Sequence, residues 1–437
     1  MNFTLSKDPF LNFLQRANYP ECKEKYFQFL KEVGSKYGYL IPSLYHPYII
    51  TQEEFLLLKE QTEKMAVILS KIVPLYLKHS EVAIFFGFPE NLHEWISFDP
   101  GYSNSIPISR YDGFWNGKTF KFCEFNTDGT SGLKDMAVLD EAFLQTQIGK
   151  EVAAYYKLKR FNLPKAILNT LIAVYKEYGG KNKPNIAITD YTEQGTSDEF
   201  LYLKDFFISS GYRTEICDLR KFELKKDGLW CGNFKIDLVY RRAVTDDILE
   251  HEKDSQVFID ACKKQAVCVV GPLRSQIVHS KLVFPFFYST LAKKYFTKEE
   301  NEFIRNHAPW TKKLVDIEHL IPKIIENKNE YFLKPHNSYA TDGIICGTDM
   351  SAEEWARSIE KTMNLKNSPY LVQKKIDIPK HKFAVDEKGT LKEFNVKLDP
   401  YVFGNIFCGC YTRISNKNII ALNHHGMLLP CFIQNGS

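Results

Sequence analysis

The stretch Ile108-Ser-Arg-Tyr-Asp-Gly-Phe-Trp-Asn-Gly-Lys-Thr-Phe-Lys-Phe-Cys-Glu-Phe-Asn126 decides how this chain is read. On both sides of Asn116-Gly117, polar residues alternate with apolar or aromatic ones, the period of a half-buried strand, and Asn-Gly is a turn signal. The stretch therefore predicts a β-hairpin that aims Arg110, Asp112, Glu124 and Asn126 at one face.

Register decides whether the four act together, because a slip of one residue turns side chains to the other face. A two-residue loop would pair Trp115 with Lys118 and put Glu124 opposite Asp112. A three-residue loop, Trp115-Asn116-Gly117, with Gly117 left-handed as a bulge, pairs Phe114 with Lys118 and keeps all four on one face. The three-residue loop is the expectation.

Two carboxylates and an amide oxygen within reach of one another repel unless a cation lies between them. Hard oxygen ligands of this kind suit a magnesium ion that also holds substrate phosphates, and Arg110 would meet phosphate oxygens with its forked guanidinium. Taken alone, the hairpin also reads as an ordinary amphipathic one with a solvated polar face.

Arg-x-Asp, eleven residues, then Glu-x-Asn resembles the magnesium-binding hairpin of the synthetase domain of glutathionylspermidine synthase and trypanothione synthase, a branch of the circularly permuted ATP-grasp ligases. All four positions and both spacings agree. The resemblance runs from about Arg110 to the C-terminus and covers the N-terminal helices only loosely.

With 437 residues, 44% of them hydrophobic and 25% charged, the chain reads as globular, with about three domains or sub-domains. A net charge of +4 diluted over this length does not indicate nucleic acid or a membrane surface. The ten cysteines include no Cys-x-x-Cys pair, which points to free thiols in a reducing compartment. No leader-like N-terminus and no spanning apolar run is evident, so a cytoplasmic location is expected.

Residues 1–100 read as a helical region, with helices over Asn12 to Val33 and Thr51 to His79, the second opening on a Thr-Gln-Glu-Glu cap. Phe55, Leu58, Met65, Leu69 and Val73 recur at helical spacing as a packing face. Residues 101–180 hold the hairpin and following helices. Thr127-Asp-Gly-Thr-Ser-Gly132 is a polar turn before a helix starting near Leu133, and reads equally as an N-cap or as an anion site built from backbone amides with Thr130 or Ser131. The resemblance places this loop beside the acceptor substrate.

Residues 181–275 alternate strand, helix and strand, a small parallel α/β unit. Neither Gly-x-Gly-x-x-Gly nor Gly-x-x-x-x-Gly-Lys-Ser/Thr follows any of its strands, which leaves a dinucleotide or P-loop site without support. Arg241 and Arg242 end one strand, facing either a cleft or the neighbouring Asp246 and Asp247.

Residues 276–437 form the expected nucleotide-binding part. The resemblance implies a nucleotide-contacting Lys281, a strand lysine Lys334 on phosphate, a loop with Ser338, Thr341 and Gly343 closing over it, an adenine contact at Gln373, and Arg413 facing the transferring phosphate. The loop is poorer in glycine than the family's, which restricts backbone approach to phosphate.

The implied fold is α+β: an ATP-grasp in permuted order, with antiparallel sheets gripping ATP and the α/β unit inserted before the lysines. The implied activity is an ATP- and magnesium-dependent ligase joining a carboxylate to an amine through an acyl phosphate, its substrates small molecules or peptides. Magnesium on Asp112, Glu124 and Asn126 would bridge the phosphates, and Arg110 and Arg413 would stabilise developing charge. A small-molecule kinase and a non-catalytic nucleotide-binding descendant are the alternatives. No papain-like amidase is apparent upstream, so amide hydrolysis is not expected.

Overall fold

The hairpin forms, with arms Ile108–Trp115 and Phe120–Asn126, in the computed structural model, which describes residues 9–14, 18–193, 197–336, 343–365, 370–386 and 390–435. Its loop corrects the expectation. Trp115 pairs with Phe120 and Phe114 with Lys121, so four residues, Asn116 to Thr119, join the arms. Asn116 Oδ1 accepts from the amides of Lys118 at 3.0 Å and Thr119 at 2.8 Å, which closes the longer loop. Gly117 does take the left-handed conformation, at φ +90°.

An even loop alone would turn Glu124 away from Asp112. The ladder shifts instead between Asp112 and Gly113, so that Gly113 pairs with Phe122 but Asp112 pairs with Glu124 and Arg110 with Asn126. A bulge at Cys123 thus puts the four polar residues on one face. Gly113 permits it, since a Cβ there would overlap the Lys121 carbonyl and the Phe120 ring.

The hairpin is one edge of an antiparallel sheet that continues through Leu391–Phe403 and Ile406–Ser415 to Met427–Leu428. The long strand Leu391–Phe403 pairs with Lys380–Ala384 over Leu391 to Asn395, and with Ile108 to Arg110 over Tyr401 to Phe403. Between these segments its outer edge has no ladder partner among the described residues. Asp399 Oδ1 there accepts the Gly113 amide at 3.2 Å, a side chain taking the place of a strand carbonyl.

A second antiparallel sheet orders Thr311–Lys313, Tyr370–Lys374, Tyr331–Pro335 and Ile345–Cys346. It has its own apolar cluster, in which Leu314, Ile324, Leu333 and Val372 pack with Trp355 and Ile359 of the helix Ala352–Met363. Cys268–Val270, Leu238–Arg241, Ile186–Asp190 and Thr214–Asp218 form a parallel sheet in that order. The meander Phe222–Lys225, Gly228–Cys231 and Phe234–Ile236 was not foreseen.

The N-terminal helices are Tyr19–Tyr37, Gln52–Lys78, Ser80–Phe86 and Glu90–Ser97. Thr51 and Glu54 form the capping box that the sequence signals, and Leu58, Met65, Leu69 and Val73 are buried. Each such side chain contributes about 1.5–3 kcal/mol by leaving water. Tyr48–Ile50 pairs with Cys431–Gln434, tying this region to the far end of the chain. Among the described residues no helix is long and apolar enough to cross a membrane.

Candidate functional site

Asp112 is the hub of the hairpin's polar face. Its Oδ1 accepts from Arg110 Nε at 3.2 Å and Asn126 Nδ2 at 2.8 Å, and its Oδ2 from Lys397 Nζ and Arg413 Nη2, both at 2.6 Å. Burial opposes its ionisation, but Lys397, Arg413 and Arg110 outweigh it and hold the carboxyl well below the usual range. Arg413 also donates to Asp399 Oδ2, at 2.9 Å from Nε. The Tyr411 ring lies 5.2 Å from the Arg110 guanidinium and 5.4 Å from that of Arg413.

Lys397 and Asp399 were missed by the sequence reading. Their signal was present: Asn395, Lys397 and Asp399 alternate with Val396 and Leu398, a polar row on one face of a strand, and all three are buried. Register sets Lys397 beside Arg413, which brings both cations to the same oxygen of Asp112.

Glu124 is half-buried and receives Lys281 Nζ on Oε1 at 2.8 Å. Burial raises its pKa, yet Lys281 wins and the carboxyl titrates at about 2. Because the Asn126 amide nitrogen is spent on Asp112, its oxygen is the end available to a cation. Glu124 and Asn126 fit a hard cation that completes its shell with water and phosphate oxygens. Asp112, with four donors on two oxygens, does not fit as a ligand in this arrangement. Among the described residues no three His, Cys, Asp or Glu side chains converge as a metal site, and the hairpin set holds only two carboxylates.

Lys334 reaches the same space from the second sheet. It donates to Gln373 Oε1 at 2.6 Å, and Gln373 Nε2 donates to Thr311 at 3.1 Å. Gln373 is thus buried and engaged at both ends, a holder for Lys334. Burial lowers the pKa of Lys334. A cleft between the two sheets joins Glu124, Lys334, Gln373 and Lys397 to apolar walls of Phe114, Phe332 and Ile376. Gly343 closes on Pro335 at φ +68°, while Ser338 and Thr341 lie outside the described residues.

The loop after the hairpin is fixed from several sides. Ser131 O accepts Arg110 Nη1 at 2.7 Å and the Tyr401 hydroxyl at 2.9 Å, and the Thr130 hydroxyl donates to Asn126 O at 2.9 Å. The backbone amides expected to receive an anion already have one: Glu199 Oε2 accepts from Gly132 N at 2.8 Å and Lys134 N at 3.3 Å. Arg242 pairs with Glu199 at 2.7 Å and Arg241 with Asp128, carboxylates that the sequence reading did not name for them. Both bind the α/β unit to this loop and helix.

Five cations, Arg110, Lys281, Lys334, Lys397 and Arg413, surround three carboxylates, Asp112, Glu124 and Asp399. The surplus of positive charge suits a polyanion.

No curated protein matches the sequence. Among solved structures, the glutathione synthetase-like effector GSS30 from Globodera pallida, in its apo form, aligns at TM-score 0.57 and 12% identity, covering 96% of this chain and 98% of that one. At that identity the likeness shows the fold alone. A Methylobacillus flagellatus protein provisionally named gamma-glutamylcysteine synthetase aligns at TM-score 0.44 and 11% identity over 85% of this chain and 88% of its own. The ATP-grasp ligase PsnB, complexed with precursor peptide PsnA2 and AMPPNP, gives 0.31 and 11% over 53% and 88%. These two scores are too low to carry an argument. The profile described as glutathionylspermidine synthase preATP-grasp matches residues 17–421, and the chain belongs to that family.

Proposed function

We propose that the chain is an ATP- and magnesium-dependent ligase that joins a carboxylate to an amine, with its ATP-grasp elements in permuted order. The observation that carries this reading is the gathering of five cations around Asp112, Glu124 and Asp399 at the seam between two antiparallel sheets, beside an apolar slot. Family membership supports ligase chemistry.

In this reading Lys334 and Lys281 hold the nucleotide phosphates, and Gln373 fixes Lys334 beneath the base. Ser338, Thr341 and Gly343 belong to the loop over the phosphates, and Thr130 and Ser131 to the rim of the acceptor site. Magnesium, held by Glu124 and Asn126, neutralises charge on the phosphates when bound. A substrate carboxylate oxygen bonds to the γ-phosphorus as ADP leaves, and the amine then displaces phosphate from the acyl carbon. Arg110 and Arg413 face charge that builds during the transfer. Substrates are small molecules or peptides, in the cytoplasm.

Hydroxylamine offered in place of the amine tests this reading. With ATP, magnesium and a panel of amino-acid and peptide carboxylates, a ligase releases ADP and forms a hydroxamate. ADP release with a stable phosphorylated product and no hydroxamate would instead identify a kinase.

A further inference from the structure

Asp112 lies where the hairpin's first carboxylate would be offered to a metal, yet a cation has already been supplied by the long strand. Lys397 Nζ is 2.6 Å from Asp112 Oδ2, and the side chain is buried between that carboxylate and the cleft it lines with Glu124 and Lys334. Arg413 meets the same oxygen, and Arg110 and Asn126 take the other. A divalent ion on Asp112 would have to displace these donors and sit against three positive charges.

We propose that the Lys397 ammonium occupies the place of a second divalent cation, so that the chain binds its nucleotide with one metal ion, on the Glu124 and Asn126 side. The inference rests on the nucleotide reading above. A lysine there is a compact point charge with three donors. It can donate to Asp112 and present charge toward the phosphates. Its strand fixes it in place: Lys397 is in register with Arg413, and Asp399, two residues on, anchors Arg413 and also takes the Gly113 amide of the hairpin. The position is therefore held by two strands and a buried acid before any ligand arrives. Substituting an ammonium for an ion also removes the need to recruit a second metal from solution, leaving activity dependent on one binding equilibrium.

The test counts Mn2+ ions bound per bound AMPPNP, by equilibrium dialysis and by electron paramagnetic resonance, which detects coupling between two neighbouring manganese ions. The expected result is one ion per nucleotide and an uncoupled spectrum for the full chain. Lys397→Ala, which removes one of the two donors on Asp112 Oδ2 and the ammonium beside the cleft, should admit a second ion, raise the count toward two and broaden the signal. Two coupled ions in the unsubstituted chain would overturn the proposal without any variant. So would a Lys397→Ala chain that folds, binds AMPPNP and still holds one ion at unchanged affinity. Absence of AMPPNP binding to the unsubstituted chain would be a different failure, that of the nucleotide reading itself, and would remove this proposal with it.

Discussion

Lys334 and Gln373 stand on neighbouring strands of the second sheet, joined by a 2.6 Å hydrogen bond that turns the ammonium toward the cleft. Gln373 in turn is held by Thr311. A hydrogen bond to a charged group is worth about 1.5–3 kcal/mol. Gln373→Leu should therefore weaken ATP binding about tenfold through Lys334, and Lys334→Ala should weaken it at least as much. Calorimetric titration of both variants checks this order of effects.

Arg413→Ala should unfold more readily as well as react more slowly. Removing one partner of a buried ion pair costs about 3–5 kcal/mol, and Arg413 is shared by Asp112 and Asp399. The loss comes from the two buried carboxylates left behind. Adding Asp399→Asn should recover part of the loss in a denaturant melt without restoring turnover.

Asp135 gives stability a pH dependence of its own. Burial raises its pKa to about 7, against an opposing Lys134. The unfolded chain, with an ordinary carboxyl, releases its proton first as pH rises. This group's contribution is therefore full below the unfolded pKa and lost as pH climbs through about 7. One pKa unit is worth about 1.4 kcal/mol, so the fall between pH 4 and 7 should be on the order of 1–4 kcal/mol. Asp135→Asn should flatten that slope in urea titrations at the two pH values.

Glu199→Ala should destabilise the chain by about 2 kcal/mol or more, because it leaves Arg242 without its carboxylate and the Gly132 and Lys134 amides without an acceptor. Thermal melts measure the loss. Added phosphate or carboxylate should restore part of it if the vacated amides accept an anion from solution.

The parts legible in sequence were those set by local pattern. Period-two alternation located the hairpin arms, and the cap at Thr51 located a helix. The four-residue loop was missed because the Asn116 side chain, rather than the Asn-Gly backbone preference, sets the turn. The bulge at Cys123 then restored the face by a route that no local signal announces. Lys397 and Asp399 were overlooked because their hairpin partners, Asp112 and Gly113, lie far away in sequence. The strand runs on to Phe403 through Pro400, where its outer edge has no ladder partner among the described residues and proline is tolerated. The partners of Arg241, Arg242 and Glu199 are distant in sequence, so only the tertiary fold could pair them.

The central claim, a nucleotide site at the seam of the two sheets, is tested most directly by calorimetric titration of the chain with ATP in the presence of magnesium. The account predicts one saturable site whose affinity falls about tenfold or more in Lys334→Ala and again when magnesium is withheld. No ATP binding, or binding of equal strength in Lys334→Ala and without magnesium, would contradict it.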